Sequence, residues 1–233
     1  MGPGRNQHPA VPCWGYGPHN GPEVWGALDS AFISCASGDE QSPIDLTAGQ
    51  SAELAPIEFD YRRTRFAIEN TGHTIQVNPN SGSGIVLNGV RSALVQFHFH
   101  HPSEHTFDGS RLALEMHLVH RSDFGSLTVL GILFKEGPAS EALAPVWKHL
   151  PPEKSESQMV PGELDLALLL PAVRTTWRYR GSLTTPPCTE GVDWVVLTEP
   201  LSMSKTQIAA FGAIHPHNFR PVQPLGDRVL LRE

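Results

Sequence analysis

The sequence predicts a mainly β fold, and three observations carry the prediction. Glycine and proline number 21 each among 233 residues and recur at short intervals, which implies many short segments joined by turns. Stretches with helical character are few. The longest periodic runs, Ser92 to His100, Arg111 to His120 and Leu127 to Phe134, are apolar on both faces, as central strands of a sheet covered on both sides should be.

The elements follow in order. Residues 1–13, rich in Gly, Pro and Asn, read as a loose tail, and no linker divides residues 14–233. Phe66-Ala67-Ile68 and Thr74-Ile75-Gln76-Val77 read as strands flanking a turn at Thr71-Gly72. Ile85-Val86-Leu87 and Ser92 to His100 are separated by Asn88-Gly89, a pair that tolerates the positive φ angles of a tight hairpin. Arg111 to His120, Leu127 to Phe134, Thr176 to Tyr179 and Val192 to Leu197 complete the strands. One helix is expected from Ser140 to Lys148, limited by Pro145. A second is expected over Lys205 to Phe211. It opens on the capping pattern Ser204-Lys205-Thr206-Gln207 and is closed by Gly212.

Composition narrows the function. A hydrophobic fraction of 39% and a charged fraction of 18% suit one large soluble domain or two small ones. The formal charge of −7, with no basic cluster, argues against nucleic acid or an anionic membrane as partner. No apolar run approaches the ~20 residues needed to span a bilayer. No secretory core follows Met1, so the expectation is either a removed signal or a cytosolic chain.

Three histidines carry the chemistry. His98 and His100 stand in Gln96-Phe97-His98-Phe99-His100, and His117 in Leu114-Glu115-Met116-His117-Leu118-Val119. Side chains at i and i+2 of a strand share a face, so the two histidines project together while Phe97 and Phe99 enter the opposite layer. A neighbouring strand would bring His117. Three neutral nitrogens bind Zn²⁺ and leave a fourth position open, the layout of a catalytic rather than a structural zinc. Gln96 and Glu115 each precede a candidate ligand by two residues and share its face. They suit the acceptors that fix a ligand imidazole's tautomer. The plainer alternatives are an exposed strand-edge charge for Glu115 and surface histidines for the alternating pair.

These segments, with Pro102-Ser103-Glu104-His105-Thr106 and Gly181-Ser182-Leu183-Thr184-Thr185-Pro186-Pro187, resemble the α-class carbonic anhydrases. The resemblance runs from Trp14-Gly15-Tyr16 through Gln41-Ser42-Pro43-Ile44 to Asn218-Phe219-Arg220-Pro221, nearly the whole chain, and points to the bacterial, extracytoplasmic type. It implies a single large twisted, mostly antiparallel sheet of about ten strands, with a few short peripheral helices.

The resemblance also implies an activity: zinc-dependent, reversible hydration of CO₂ to bicarbonate and a proton by zinc-bound hydroxide. His98, His100 and His117 would be the metal ligands, with Gln96, Glu115 and the Asn218 carbonyl behind them. Thr184, hydrogen-bonded to buried Glu104, would orient the nucleophile and admit only ligands that donate a hydrogen, such as a sulfonamide. His73 would shuttle protons. Val119, Val129, Leu183, Val192 and Trp194 would form the CO₂ wall. Tyr16, Thr71, His73, Gln76, Gln96 and Thr185 would form the polar wall. Thr71 and Gln76 stand where animal enzymes commonly carry Asn, and His101-Pro102 departs from their Trp-Gly.

A catalytically silent binding module of the same family is the competing reading, and retention of all three histidines with Thr184 and Glu104 argues against it. Esterase chemistry would be a side activity. The resemblance further implies a Cys35–Cys188 disulfide, hence a periplasmic or secreted protein, and cis peptides at Ser42-Pro43 and Pro186-Pro187. Cys13 is left over, and a homodimer stays open.

Overall fold

The computed structural model describes residues 13–47 and 49–233. Most of the expected tail therefore lies outside the described residues. Cys13 is exposed and free.

The main strands are β1 (Phe66–Asn70), β2 (Ile75–Pro79), β3 (Gly84–Leu87), β4 (Val90–His100), β5 (Leu114–Ser122), β6 (Leu127–Glu136), β7 (Thr176–Ser182) and β8 (Glu190–Leu197). They lie in one thirteen-stranded sheet whose central order is β7-β8-β6-β5-β4-β2-β1. The sheet is mixed: β6 pairs in parallel with β8 and with Leu201–Met203, and Gln50–Ser51 runs parallel to Leu231–Arg232. The other central pairings are antiparallel.

Alternation sorts each central strand into two layers. Phe97, Phe99, Met116, Leu118, Leu130 and Ile132 enter one apolar cluster together with Phe211. Val129, Leu133, Trp177, Val192, Trp194 and Val196 form another on the opposite face. Phe97 and Phe99 are fully buried, worth about 1.5–3 kcal/mol each over leaving them exposed. A third cluster gathers Trp25, Phe32, Cys35 and Cys188, with Trp14 and Tyr16 against it.

One irregularity sets the phase of β4. Val119 of β5 faces Gln96, but His120 faces Leu94, so Val95 has no partner on β5. Before this bulge the core-facing buried positions are Ser92 and Leu94; after it they are Phe97 and Phe99, while His100 is buried on the other face. The extra residue switches an even phase to an odd one. Gln96, His98 and His100 thereby share a face while Leu94 remains in the core with the phenylalanines.

The Asn88-Gly89 turn behaves as expected, with both residues at positive φ (51° and 77°), as a two-residue hairpin demands. The helices depart from expectation. Ser204 and Gln207 form the capping box, but the helix runs from Lys205 to Ile214, straight through Gly212. A Cβ at Gly212 would stand 2.9 Å from the His101 ring, so the glycine serves close packing and does not end the helix. Around Pro145 only Ala144–Trp147 is helical. Proline lacks the N–H that a first turn does not need, so it starts this helix. The Cys35–Cys188 bridge is formed, and Ser42-Pro43, Pro186-Pro187 and His101-Pro102 are cis.

Candidate metal centre

The site lies along a row crossing the sheet. Glu69 pairs with Gln76, Gln76 with His98, His98 with His117, and His117 with Gly131. Paired residues share a face, so register alone brings His98 and His117 together, with His100 two residues along. Their ring centroids are 4.6 to 5.4 Å apart. One nitrogen from each lies within 4.8 Å of the others.

Hydrogen bonds decide which nitrogen each ring presents. His98 Nδ1 meets Gln96 Oε1 at 2.9 Å, His100 Nδ1 meets the Asn218 carbonyl at 2.7 Å, and His117 Nε2 meets Glu115 Oε1 at 2.8 Å. These oxygens only accept, so each imidazole donates there and keeps a lone pair on its other nitrogen. His100 Nε2 is buried without any partner among the described residues. A buried lone pair facing two others is costly unless something fills the gap, and the set fits a metal ion.

Burial, reinforced by the neighbouring imidazoles, holds His98 well below its ordinary pKa. Burial lowers His100 too, against the pull of Glu104. Burial also opposes charge on His117, but the Glu115 carboxylate outweighs it and raises the pKa. A metal would therefore compete with a proton chiefly at His117.

Glu115 is wholly buried and fully engaged. Its Oε1 accepts from His117 and from His105 Nδ1 (2.7 Å), and its Oε2 accepts the backbone N–H groups of Glu104 and His105, both at 2.8 Å. Burial would raise its pKa, yet His105 and His117 hold it well below the usual carboxylate range. His105 Nε2 in turn accepts the Tyr179 hydroxyl at 2.7 Å. Gly131 leaves room for this carboxylate, since a Cβ there would stand 3.1 Å from Oε1.

Glu104 is also fully buried. Its Oε1 accepts the Arg220 N–H at 2.8 Å, while its Oε2 has no partner among the described residues. No hydrogen bond joins it to Thr184, although Thr184 is buried. The loop bearing Thr184 and Thr185 is closed by Leu183 N–H to Thr189 and by Cys188 N–H to Thr185, and is tied by the disulfide to Cys35.

A cavity of about 230 Å³ opens beside His98 and His100, which line it. All six residues of the expected polar wall line it: Tyr16, Thr71, His73, Gln76, Gln96 and Thr185. Val129, Val192 and Trp194 lie in the apolar cluster of the same sheet face, with Val119 and Leu183 packed against it. His73 is half-buried and stacks flat on Trp14, with centroids 3.7 Å apart and planes 7° apart. Burial and then Lys154 lower its pKa.

Sequence reasoning missed three contributors. Trp14 carries no motif that marks it as the platform for His73. The Asn218 side chain, expected to act only through its carbonyl, donates to the carbonyls of His73 and Phe99 and accepts the His101 N–H. Arg220, 1% exposed, donates to Gln41, to the Ser42 carbonyl and to the Cys35 carbonyl, each at 2.8 Å. These partners are 178 to 185 residues away, and no local pattern announces them.

The eukaryotic-type carbonic anhydrase family model matches residues 20–233. A carbonic anhydrase of Klebsiella pneumoniae is 40% identical over 221 residues, covering 94% of this chain and 90% of that protein. The α-carbonic anhydrase of Thermovibrio ammonificans, solved in complex with the inhibitor sulfanilamide, superposes with a TM-score of 0.92 at 42% identity, covering 95% of this chain and 99% of that one. The α-carbonic anhydrase of Photobacterium profundum gives a TM-score of 0.89 at 40% identity, covering 94% and 100%. With the site geometry, these likenesses make the chain a member of the eukaryotic-type, or α, carbonic anhydrase family.

Proposed function

We propose that this chain hydrates CO₂ reversibly at a zinc ion held by His98, His100 and His117, with His73 carrying the product proton toward solvent. One observation carries the reading. Each imidazole spends one nitrogen on an oxygen acceptor, which leaves three lone pairs converging in a buried corner. Three neutral nitrogens with no thiolate among them suit zinc with an open position, a layout for which carbonic anhydrase is the type case. When bound, zinc supplies Lewis acidity and makes a nucleophile of water near neutral pH.

The protein's own groups do the rest. Val119, Val129, Leu183, Val192 and Trp194 give neutral CO₂ an apolar surface. Glu104 Oε2, buried and without a hydrogen-bond partner among the described residues, would be the acceptor for the Thr184 hydroxyl. Once Thr184 donates there, it has only lone pairs for its other neighbour and so prefers ligands that carry a hydrogen. A primary sulfonamide that keeps one N–H meets that demand, consistent with the sulfanilamide complex of the Thermovibrio relative. The Cys35–Cys188 bridge supports an oxidising, periplasmic or secreted location.

The test is metal content measured together with CO₂ hydration, before chelation, after it, and after zinc is restored. One zinc per chain and activity that leaves and returns with it are expected. Activity that survives complete metal removal sinks the reading. A folded chain that neither holds zinc nor hydrates CO₂ would instead be a silent binding module.

A further inference from the structure

Two glutamines line the cavity, and neighbours hold them in opposite senses. Gln96 gives its oxygen to His98, so its N–H groups are what it offers to the cavity. Gln76 is held the other way. Its Nε2 donates to Glu69 Oε1 and to Asn78 Oδ1, both at 2.9 Å, and Asn78 Nδ2 donates to the same Glu69 oxygen at 2.8 Å and to Ser157 Oγ at 3.2 Å. An ionised Glu69 can only accept, so both amide nitrogens must turn toward it. With both hydrogens spent, Gln76 has only its carbonyl oxygen left for the cavity.

That oxygen matters because of where it stands. Gln76 is the cross-strand neighbour of the ligand His98 and shares the cavity wall with Thr71 and His73. Water carrying an excess proton donates in three directions and is a poor acceptor. An acceptor on the wall stabilises it, whereas an N–H there repels it. A fixed carbonyl suits the path by which a proton leaves, and a freely turning amide does not.

We infer that Glu69 is a positioning residue for proton export: by claiming the Gln76 amide nitrogen, it fixes the Gln76 carbonyl as an acceptor between the metal ligands and His73. The inference rests on the proposed roles of zinc and His73. Glu69 touches neither, and acts through Gln76.

Glu69→Ala removes the acceptor and lets Gln76 turn. In dilute buffer kcat should fall roughly three- to tenfold, the scale of one ordinary hydrogen bond. kcat/KM for CO₂ should hold, because attack on CO₂ is untouched, and added imidazole should restore kcat. Glu69→Gln keeps an oxygen able to accept from both amides and should rescue kcat. Zinc content and thermal melting, read on every variant, score misfolding separately. Should Glu69→Ala fail to fold, Gln76→Met carries the same expectation, since it removes the carbonyl itself.

An unchanged kcat in Glu69→Ala overturns the inference. So does an equal loss in Glu69→Gln, which would assign the effect to charge, or a parallel fall in kcat/KM, which would assign it to a distorted pocket. His73→Ala run alongside separates the two levels. If that variant keeps full kcat in dilute buffer, the shuttle reading fails. If it is slow and rescued by imidazole while Glu69→Ala is not slow, only the role of Glu69 fails.

Discussion

At the scale of the residue, the site is a set of proton assignments. Glu115 fixes His117 through one hydrogen bond while the rest of its capacity is spent on His105 and two backbone N–H groups. Glu115→Gln must present an N–H to one of these donors. Metal affinity should drop about 10–100-fold, as for other partners of ligand histidines, measured by competition with a chromophoric chelator. His117→Ala should lose most metal and leave the sheet intact by circular dichroism; full retention of zinc would remove His117 from the ligand set. For His73 the argument is kinetic. At pH 7 hydroxide is only ~10⁻⁷ M, so diffusional proton removal at ~10¹⁰ M⁻¹s⁻¹ caps turnover near ~10³ per second. Any faster rate needs a relay. His73→Ala should lower kcat in dilute buffer and spare kcat/KM. The histidine cluster was legible because alternation puts His98 and His100 on one face, but choosing a metal site over a surface pair needed Gln96, Glu115 and the family resemblance as well. The Trp14 platform and the Arg220 clamp were not, because a stacking partner and a buried cation are defined by the far side of the fold.

At the scale of the element, the strands obeyed their pattern, the helix opening at Lys205 kept its capping box, and the extents of both expected helices differed. A strand's alternation and a hairpin's Asn-Gly are local facts, so cores and turns were read to within a few residues. Gly212 and Pro145 are ambiguous locally: each can end a helix or serve another purpose, and only the His101 ring and the chain before Ala144 decide. Strand β5 also carries a histidine outside the cluster of His98, His100 and His117. His120 projects into the opposite layer, where Tyr61 donates to its Nε2 at 2.8 Å and its Nδ1 donates to the Thr128 carbonyl. Burial lowers its pKa to about 4. An unfolded histidine takes its proton near ~6.5. Between these values the unfolded chain binds the proton and the native chain refuses it, so stability falls as pH drops from ~6.5 to about 4 and levels off below. The full effect is on the order of 3 kcal/mol. Urea melts from pH 7 to 4 should show a steeper decline in wild type than in His120→Gln. Parallel curves would mean that His120 does not carry this loss.

At the scale of the molecule, one covalent bond ties the amino-terminal layer to the loop that holds Thr184. Cys35 and Cys188 are 153 residues apart, so the bridge restricts most of the unfolded chain. Replacing both by serine should cost about 2–4 kcal/mol in denaturant titration. A variant as stable as the oxidised wild type would show that the unfolded state is not what the bridge restrains. The pairing of these cysteines came from family likeness, since nothing in the spacing of three cysteines selects it. The sheet's mixed character was likewise hidden, because the parallel contacts of β6 join segments about 65 residues apart in the chain, as Leu127 with Val192 illustrates.

The bulge at Val95 acts as a change of reading frame written in geometry. Upstream of it, Ser92 and Leu94 face the large apolar core; downstream, Phe97 and Phe99 do. Substituting Val95 alters one exposed side chain and leaves both frames intact. Deleting it would join the two frames into one unbroken alternation, because Leu94 would then stand directly before Gln96 and still face His120 while Gln96 faces Val119. Ser92, Leu94, Phe97 and Phe99 would then follow one another on the core side, with Gln96, His98 and His100 on the other. What Val95 adds is therefore a local bend and extra twist in β4, not the choice of which side chains meet β5.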